Sequence, residues 1–142
     1  MRSIGISNFG LGRCERLYAN ALVVPAVNQL ENHVRFQQGE LVDWLQQKGT
    51  VVAGLGVPSG QAGGTSCPTL SLRTLGRTTA RLQPRWHYAS LLSAGLPSYP
   101  KASVRERLKA NMEIFDFALT DDEMRTIRAM DGGSSFFSWS WI

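Results

Sequence analysis

Small polar side chains follow the first strand that the sequence predicts. In the opening "RSIGISNFG", Ile4 and Ile6 alternate with small residues, which is typical of a short strand. Ser7 and Asn8 stand where that strand ends. Polar groups held at the mouth of a rigid sheet commonly contact ligands. This turn is therefore a candidate ligand contact.

Positive charge concentrates in one run, "KASVRERLK", from Lys101 to Lys109. Elsewhere the basic residues are scattered, and the formal net charge is +4. The run has two interpretations, a solvated helix face or a phosphate-binding patch, and the first is the more ordinary. Neither interleaved aromatic residues nor a long basic tract accompanies it, which argues against binding of nucleic acid.

The cysteines and one glycine-rich stretch do not form recognisable sites. Cys14 and Cys67 have neither a disulfide framework nor metal-ligand spacing, so a buried or unreactive thiol is expected for each. The stretch "GLGVPSG" matches a dinucleotide phosphate loop only in part, because Pro58 and the loop-like residues after it leave no helix for a phosphate to cap. No Ser/His/Asp or Cys/His constellation suggests nucleophilic catalysis.

Strands and helices alternate over the first part of the chain. The length of 142 residues and the hydrophobic fraction of 43% indicate one globular domain. The order βαβαβ is typical of a parallel sheet with crossover helices. The predicted elements are the opening strand, a helix in 11–22, a strand in 23–31, a helix in 39–49 that ends at Gly49, and a strand in 50–57.

The middle of the sequence predicts less regular structure. Residues 58–71 are a loop by composition. Residues 77–92 have helical character, but Pro84 falls inside them and would cost an interior helix position about 3 kcal/mol. Residues 95–101 hold two prolines, so they predict at most an irregular edge strand.

Two helices are predicted near the end of the chain. The stretch "SVRERLKANMEIF" has Ser103 as its expected N-cap and an apolar stripe at helical spacing. The stretch "LTDDEMRTIRAMDGG" has a capping box of Thr120 and Glu123. The stripe of the first helix is Val104, Leu108 and Met112, and the buried side of the second is Met124, Ile127 and Met130.

The sequence ends in an aromatic segment without helical periodicity. We expect residues 132–142 to be a loosely ordered tail on a domain of residues 1–131. No apolar run approaches 18 residues, and no signal-peptide pattern opens the sequence. A cytoplasmic protein that does not enter a membrane is therefore expected.

Four ordered stretches together resemble one enzyme family. The stretches "RSIGISNF", "VVPAVNQLENH", "GRTTARLQPRWH" and "YPKASVRERLKANMEIFDFALTDDEM" are similar to the C-terminal half of an aldo-keto reductase, over roughly Met1 to Asp131. That family is an eight-stranded (β/α) barrel of NADP(H)-dependent oxidoreductases. The resemblance implies an α/β fold, a partial (β/α)8 TIM barrel of about four βα units that correspond to strands five to eight, plus a C-terminal helix.

The length of the sequence bears on how much of a barrel it can form. A complete barrel of this kind needs about 250 residues, whereas this sequence has 142. Because the opening strand resembles the fifth strand of the family, we expect a truncated barrel in which Met1 occupies an internal position of the ancestral sequence. Its two open sheet edges would favour self-association.

The resemblance also implies a site for the nicotinamide end of NADP. In the family, the Ser-Asn turn and the following Gln hold the nicotinamide carboxamide, which assigns that role to Ser7, Asn8 and Gln29. A hydroxyl and two amides can match both the donors and the acceptor of a carboxamide. The alternative is local, with Asn8 capping the turn and Gln29 making a hydrogen bond at the end of the sheet.

The adenosine end of NADP has matching residues later in the sequence. Lys101 and Arg107 match the residues that bind the 2′-phosphate and select NADP over NAD, and Asn111 matches a contact to the adenine. Lysine supplies compact charge, and arginine supplies a planar fork for phosphate oxygens. Two positions depart from the family: Ala102 replaces the usual serine on the phosphate, and Ala110 replaces a carboxylate near the adenine.

The resemblance assigns no catalytic residue to this sequence. The catalytic Asp, Tyr, Lys and His of the family all come from the first half of the barrel, and the aromatic ring that stacks on the nicotinamide has no counterpart in Val57–Gly60. Of the remaining titratable groups, His33 could contact a substrate but is expected to be exposed to solvent, and His87 is expected to be structural. Tyr18 and Tyr88 are expected on outer helices.

Two classes of function follow from these observations. The first is the reaction of the family, NADPH-dependent reduction of an aldehyde or ketone, with a small carbonyl compound as substrate. The second is a non-catalytic module that binds NADP or another protein, or a decayed fragment without activity.

Overall fold

The computed structural model describes residues 2–55, 83–100, 103–133 and 135. Within these ranges the chain forms three strands and five helices in a βαβαβ order followed by helices. They are β1 (Gly5–Ser7), α1 (Leu11–Asn20), β2 (Val27–Glu31), α2 (Gly39–Gln47), β3 (Val51–Leu55), α3 (Gln83–Ser93), α4 (Arg105–Met112) and α5 (Asp121–Arg128).

The three strands form a parallel sheet in the order β1-β2-β3. Ser7 pairs with Gln29 in the register of β1 and β2. Beyond β3, the chain makes one parallel bridge between Gly54 and Ser98, and the Gly54 N–H donates to the carbonyl oxygen of Pro97 at 3.0 Å. The irregular edge strand predicted for residues 95–101 is therefore confirmed only as a single bridge at Ser98.

Helices α1 and α2 cover one face of the sheet, and the main core lies between them and the strands. Tyr18 of α1 connects this core to the start of β3, because its hydroxyl lies 2.5 Å from that of Thr50 and its ring meets Trp44 edge to face. The buried members of the core are Cys14, Leu30, Leu41, Val42, Leu45, Val52, Leu91 and Leu96.

Helix α2 ends as the sequence predicts. Gly49 follows it with a φ of +76°, a left-handed conformation that glycine adopts without steric cost. The Thr50 N–H then donates to the carbonyl oxygen of Leu45 at 3.0 Å, which closes the end of the helix, and β3 begins at the next residue.

A second, smaller cluster surrounds helix α5. Ile127 and Val34 are buried there, with Met124 and Met130 packed around them. Thr120 accepts a hydrogen bond from the Glu123 N–H, and the Glu123 carboxylate accepts one from the Thr120 N–H. The predicted capping box and the predicted buried side of this helix are therefore confirmed.

One detail of the predicted helices is wrong. Helix α4 begins at Arg105 with Val104 as its N-cap and no side-chain cap, so Ser103 does not cap it. The described part of helix α3 is Gln83–Ser93 and contains Pro84 as its second residue, and the predicted helical residues 77–82 lie outside the described ranges.

Several predictions concern residues outside the described ranges. These are the loop of 58–71 with Cys67, the part of the middle helix before Gln83, and the tail apart from Gly132, Gly133 and Ser135. None of the described helices combines the length and the apolar character that crossing a bilayer requires.

Candidate functional site

The turn after β1 lies directly beside the middle of β2. The Asn8 N–H donates to the carbonyl oxygen of Gln29 at 2.9 Å, and the Ser7 hydroxyl donates to the same oxygen at 3.2 Å. Asn8 has a φ of +56°, a conformation that asparagine adopts more readily than most residues. The parallel register thus brings together the three residues that the resemblance assigns to the carboxamide.

The side chains of this turn remain accessible. Ser7 is exposed, and Asn8 and Gln29 are half-buried. The Ser7 oxygen still has lone pairs that can accept a hydrogen bond, and each amide side chain offers both donors and an acceptor. A primary carboxamide has two N–H donors and one acceptor oxygen, so it needs both acceptors and donors around it. These residue types therefore fit the nicotinamide amide.

Buried polar groups support the turn from the helix side of the sheet. Asn28 is fully buried, and its Nδ2 donates to the carbonyl oxygen of Phe9 at 3.0 Å. The Cys14 thiol donates to the same oxygen at 3.4 Å, and burial raises the pKa of this thiol, so that it stays protonated. Asn28 is a supporting residue that sequence reasoning missed. The sequence signal that could have indicated it is that Asn28 is a polar residue on the apolar face of β2.

Two of the residues predicted for the adenosine end lie on helix α4. Arg107 is exposed and Asn111 is half-buried, and their spacing of four residues places them on one face of the helix. Lys101 lies outside the described residues. Arg107 and Asn111 are therefore positioned by a different element from the turn of Ser7 and Asn8.

A buried acid–base pair at the end of β2 is the main feature that sequence reasoning missed. The ring Nε2 of His33 lies 3.0 Å from Oε1 of Glu31, and both side chains are 2% exposed or less. The Arg35 N–H donates to Nδ1 of His33 at 3.3 Å, so the ring proton belongs on Nε2 and is donated to the carboxylate. The hydroxyl of Ser135 also donates to Glu31.

The expectation that His33 is exposed to solvent is wrong. The chain doubles back at this point through a bridge between His33 and Phe36, which buries the ring. Burial lowers the pKa of His33, and the hydrogen bond that the ring donates to Glu31 opposes that shift. At neutral pH the pair is best described as a neutral imidazole donating to a carboxylate, which holds the loop after β2.

The same loop is attached to the C-terminal helix. The side-chain amide of Gln37 donates to the carbonyl oxygens of Ile127 at 2.8 Å and Val34 at 2.9 Å. The Gly132 N–H donates to the carbonyl oxygen of Arg35 at 3.0 Å. The bonds from Gln37 to Ile127 and from Gly132 to Arg35 connect the end of α5 to the loop that follows β2.

His87 of α3 is buried, in agreement with the structural role expected for it. Neither of its ring nitrogens has a hydrogen-bond partner in the part of the chain that the structure describes. Burial and the neighbouring His33 lower the pKa of His87 to about 3, so the ring is neutral. Tyr18 and Tyr88 lie on α1 and α3, as expected, and Tyr88 is almost fully buried.

No group of three His, Cys, Asp or Glu side chains that could hold a metal ion occurs among residues 2–55, 83–100, 103–133 and 135. The accessible groups described above are hydrogen-bonding side chains at the turn and the exposed Arg107 on α4.

Comparisons with known proteins place this arrangement in context. No protein-family model matches the sequence. An aldo-keto reductase of Mycobacterium sp. (strain KMS) is 33% identical over 136 residues, which cover 94% of this chain and 48% of that protein. This chain matches one part of the aldo-keto reductases. The resemblance stated from the sequence is confirmed to that extent.

Solved aldo-keto reductases agree in three dimensions. A silkworm (Bombyx mori) aldo-keto reductase complexed with NADPH superposes with a TM-score of 0.84 and 30% identity, over 96% of this chain and 44% of its own. A second silkworm aldo-keto reductase, in complex with NADP, superposes with a TM-score of 0.86 and is 28% identical. The match covers 98% of this chain and 48% of that protein. The fold is a partial (β/α)8 barrel, as predicted, and the chain spans less than half the length of these relatives.

Proposed function

We propose that this chain forms the nucleotide-holding part of an NADPH-dependent aldo-keto reductase barrel. The observation that carries the proposal is that Ser7 and Asn8 both donate hydrogen bonds to the backbone oxygen of Gln29, which brings the three residues together between β1 and β2. NADPH and NADP in the two silkworm structures identify the cofactor of proteins that this chain resembles. When bound, the nicotinamide supplies the hydride.

The role of these residues is to hold the nicotinamide ring in a fixed orientation. Asn8 and Gln29 would exchange hydrogen bonds with the carboxamide, and Ser7 would accept one. The backbone bonds between the two strands position the turn before a ligand arrives, which lowers the entropy lost on binding. None of these groups is a proton donor suited to a carbonyl oxygen.

The role of helix α4 is to bind the adenosine 2′-phosphate. Arg107 is exposed and takes part in no ion pair within the described residues, so its guanidinium is free to meet a phosphate. Asn111 follows one turn later on the same face and can reach the adenine edge. Lys101 is proposed as the second phosphate ligand on the resemblance alone.

The proposal is tested by titrating the folded chain with NADP and NADPH and following binding by calorimetry. Gln29→Ala should weaken binding by about tenfold, which corresponds to the loss of one or two hydrogen bonds. The matched control is Gln47→Ala, which makes the same change at an exposed position of α2. Equal affinity of the two variants would reject the assignment of Gln29.

A second candidate function is a complete reductase activity of the chain itself. The reaction, reduction of small aldehydes and ketones, is that of the proteins it matches. The first candidate is preferred because the buried His33 is already committed to Glu31 and the hydroxyl of Tyr18 to Thr50. These side chains are therefore poorly placed to deliver a proton.

A further inference from the structure

Helix α4 carries an apolar stripe that the described part of the chain leaves uncovered. Val104, Leu108 and Met112 recur every four residues, and they are 46%, 47% and 73% exposed. No residue of this helix is buried. The predicted stripe therefore exists, and its side chains are exposed in the described part of the chain. A stripe of this kind normally packs against another element.

Strand β1 offers a second uncovered apolar surface. Ile4 is 39% exposed, and Ile6 is half-buried at the margin of the main core. Because side chains alternate along a strand, Ile4 and Ile6 lie on the face of the sheet that the helices cover. In the described residues β1 pairs only with β2, so its other edge is open.

Among the described residues, the opposite end of the sheet also has an open edge. The segment of Leu96 to Ser98 runs parallel to β3 and bridges it at Gly54. Counting this segment, the described part of the chain presents four parallel strand positions. Two copies of the chain can be related by a two-fold axis that runs along the strand direction. This arrangement keeps all strands parallel and places β1 of each copy beside the Leu96–Ser98 segment of the other. Two copies then supply eight positions and leave no open edge.

The same operation gives the apolar stripe a partner. In a βα-barrel each helix packs across the strand before it and the strand after it. Helix α4 follows the Leu96–Ser98 segment, and in the two-fold arrangement the next strand is β1 of the second copy. The stripe of Val104, Leu108 and Met112 would therefore cover Ile4 and Ile6 of that copy, and this contact occurs twice.

We propose that the chain forms a two-fold dimer in which the apolar stripe of α4 packs on β1 of a second copy. The proposal uses no nucleotide, so its outcome is independent of the NADP titrations. Charge does not oppose the contact, because the stripe itself carries no ionisable residue.

Sedimentation equilibrium tests the oligomeric state, with a dimer expected at micromolar concentrations. Leu108→Gln should raise the dissociation constant by about tenfold or more, because each dimer loses two apolar contacts. The matched control is Glu106→Gln, which places the same residue on the opposite face of α4 and should change little. Circular dichroism of each variant shows whether it is folded.

Disulfide cross-linking tests the geometry separately. The background is Cys67→Ser, since Cys14 is fully buried. A mixture of one chain with Ile4→Cys and one with Leu108→Cys should give a cross-linked dimer containing both variants, in higher yield than either alone. A monomeric native chain, equal dimerisation of the Leu108 and Glu106 variants, or no preferred mixed cross-link would each overturn the proposal.

Discussion

The Asn8 N–H and the Gln29 carbonyl oxygen lie 2.9 Å apart, in a hydrogen bond that continues the parallel ladder beyond the last residue of β1. Backbone atoms therefore position this turn, and the side chains of Asn8 and Gln29 are not needed to hold it. Substitutions of these side chains can be interpreted as effects on ligand binding, provided that the backbone conformation is retained.

The first prediction concerns Asn8. Asn8→Gly keeps the φ of +56° without strain but removes the amide, so we expect near-native stability and weaker NADP binding. Asn8→Val should instead destabilise the fold by about 1–2 kcal/mol or more, because a β-branched residue is strained at positive φ. Urea unfolding and calorimetry on both variants separate the two effects. Unchanged NADP affinity in Asn8→Gly would assign Asn8 to turn capping alone.

The second prediction concerns the choice of nucleotide. If Lys101 and Arg107 bind the 2′-phosphate, the chain should prefer NADP over NAD. Lys101→Ala combined with Arg107→Ala should then abolish the preference by weakening NADP alone. Lys109→Ala, an exposed charge on the same helix as Arg107, is the control. Equal affinity of the native chain for both nucleotides would remove the phosphate site.

Local signals in the sequence were sufficient for several elements. The capping box of Thr120 and Glu123 was predictable because both partners belong to one helical turn. The parallel order of the strands followed from the alternation of strand and helix, and Gly49 ended α2 because its left-handed conformation is a local requirement. In each case neighbouring residues determine the structure.

Features that depend on distant contacts were missed. Ser103 is a good cap by type, but the chain enters α4 in a path that makes Val104 the boundary residue. His33 was expected in solvent because its burial depends on Glu31 and on the bridge to Phe36.

The third prediction uses this difference between Thr120 and Ser103. Thr120→Ala should lower the free energy of unfolding by about 0.5–2 kcal/mol, because it removes a side-chain acceptor from the first turn of α5. Ser103→Ala should leave stability within about 0.5 kcal/mol of the native chain, since Ser103 is exposed and caps nothing. Urea titrations at pH 7 measure both. A larger loss for Ser103 than for Thr120 would contradict the observed helix starts.

The fourth prediction concerns pH and His87. Its pKa is about 3 in the folded chain, against 6.5 in an ordinary environment, so the unfolded chain binds more protons between these values. Stability should therefore fall as the pH is lowered from 6.5 towards 3, by up to about 1.4 kcal/mol per pH unit from this residue.

A variant of His87 isolates that contribution. His87→Leu replaces a ring whose two nitrogens lack partners among the described residues, so we expect a more stable chain at pH 5 and a weaker pH dependence. Part of the dependence should persist, because burial also lowers the pKa of His33. Urea titrations at pH 5 and 7.5 compare the two chains. The same pH dependence in both would show that His87 does not titrate in this way.

The last prediction concerns catalysis by the chain alone. Carbonyl reduction needs a nicotinamide held against the carbonyl carbon and a proton donor at its oxygen, and positioned acid catalysis contributes about 10²–10⁴-fold. Ser7, Asn8 and Gln29 can serve only the first need. We therefore expect the purified chain to oxidise NADPH with nitrobenzaldehyde no faster than the background rate. The measurement follows the absorbance of NADPH with and without the aldehyde. Tyr99 has an exposed side chain, so its hydroxyl is accessible. Turnover that survives further purification and is lost in His33→Gln or Tyr99→Phe would show instead that this chain has its own proton donor.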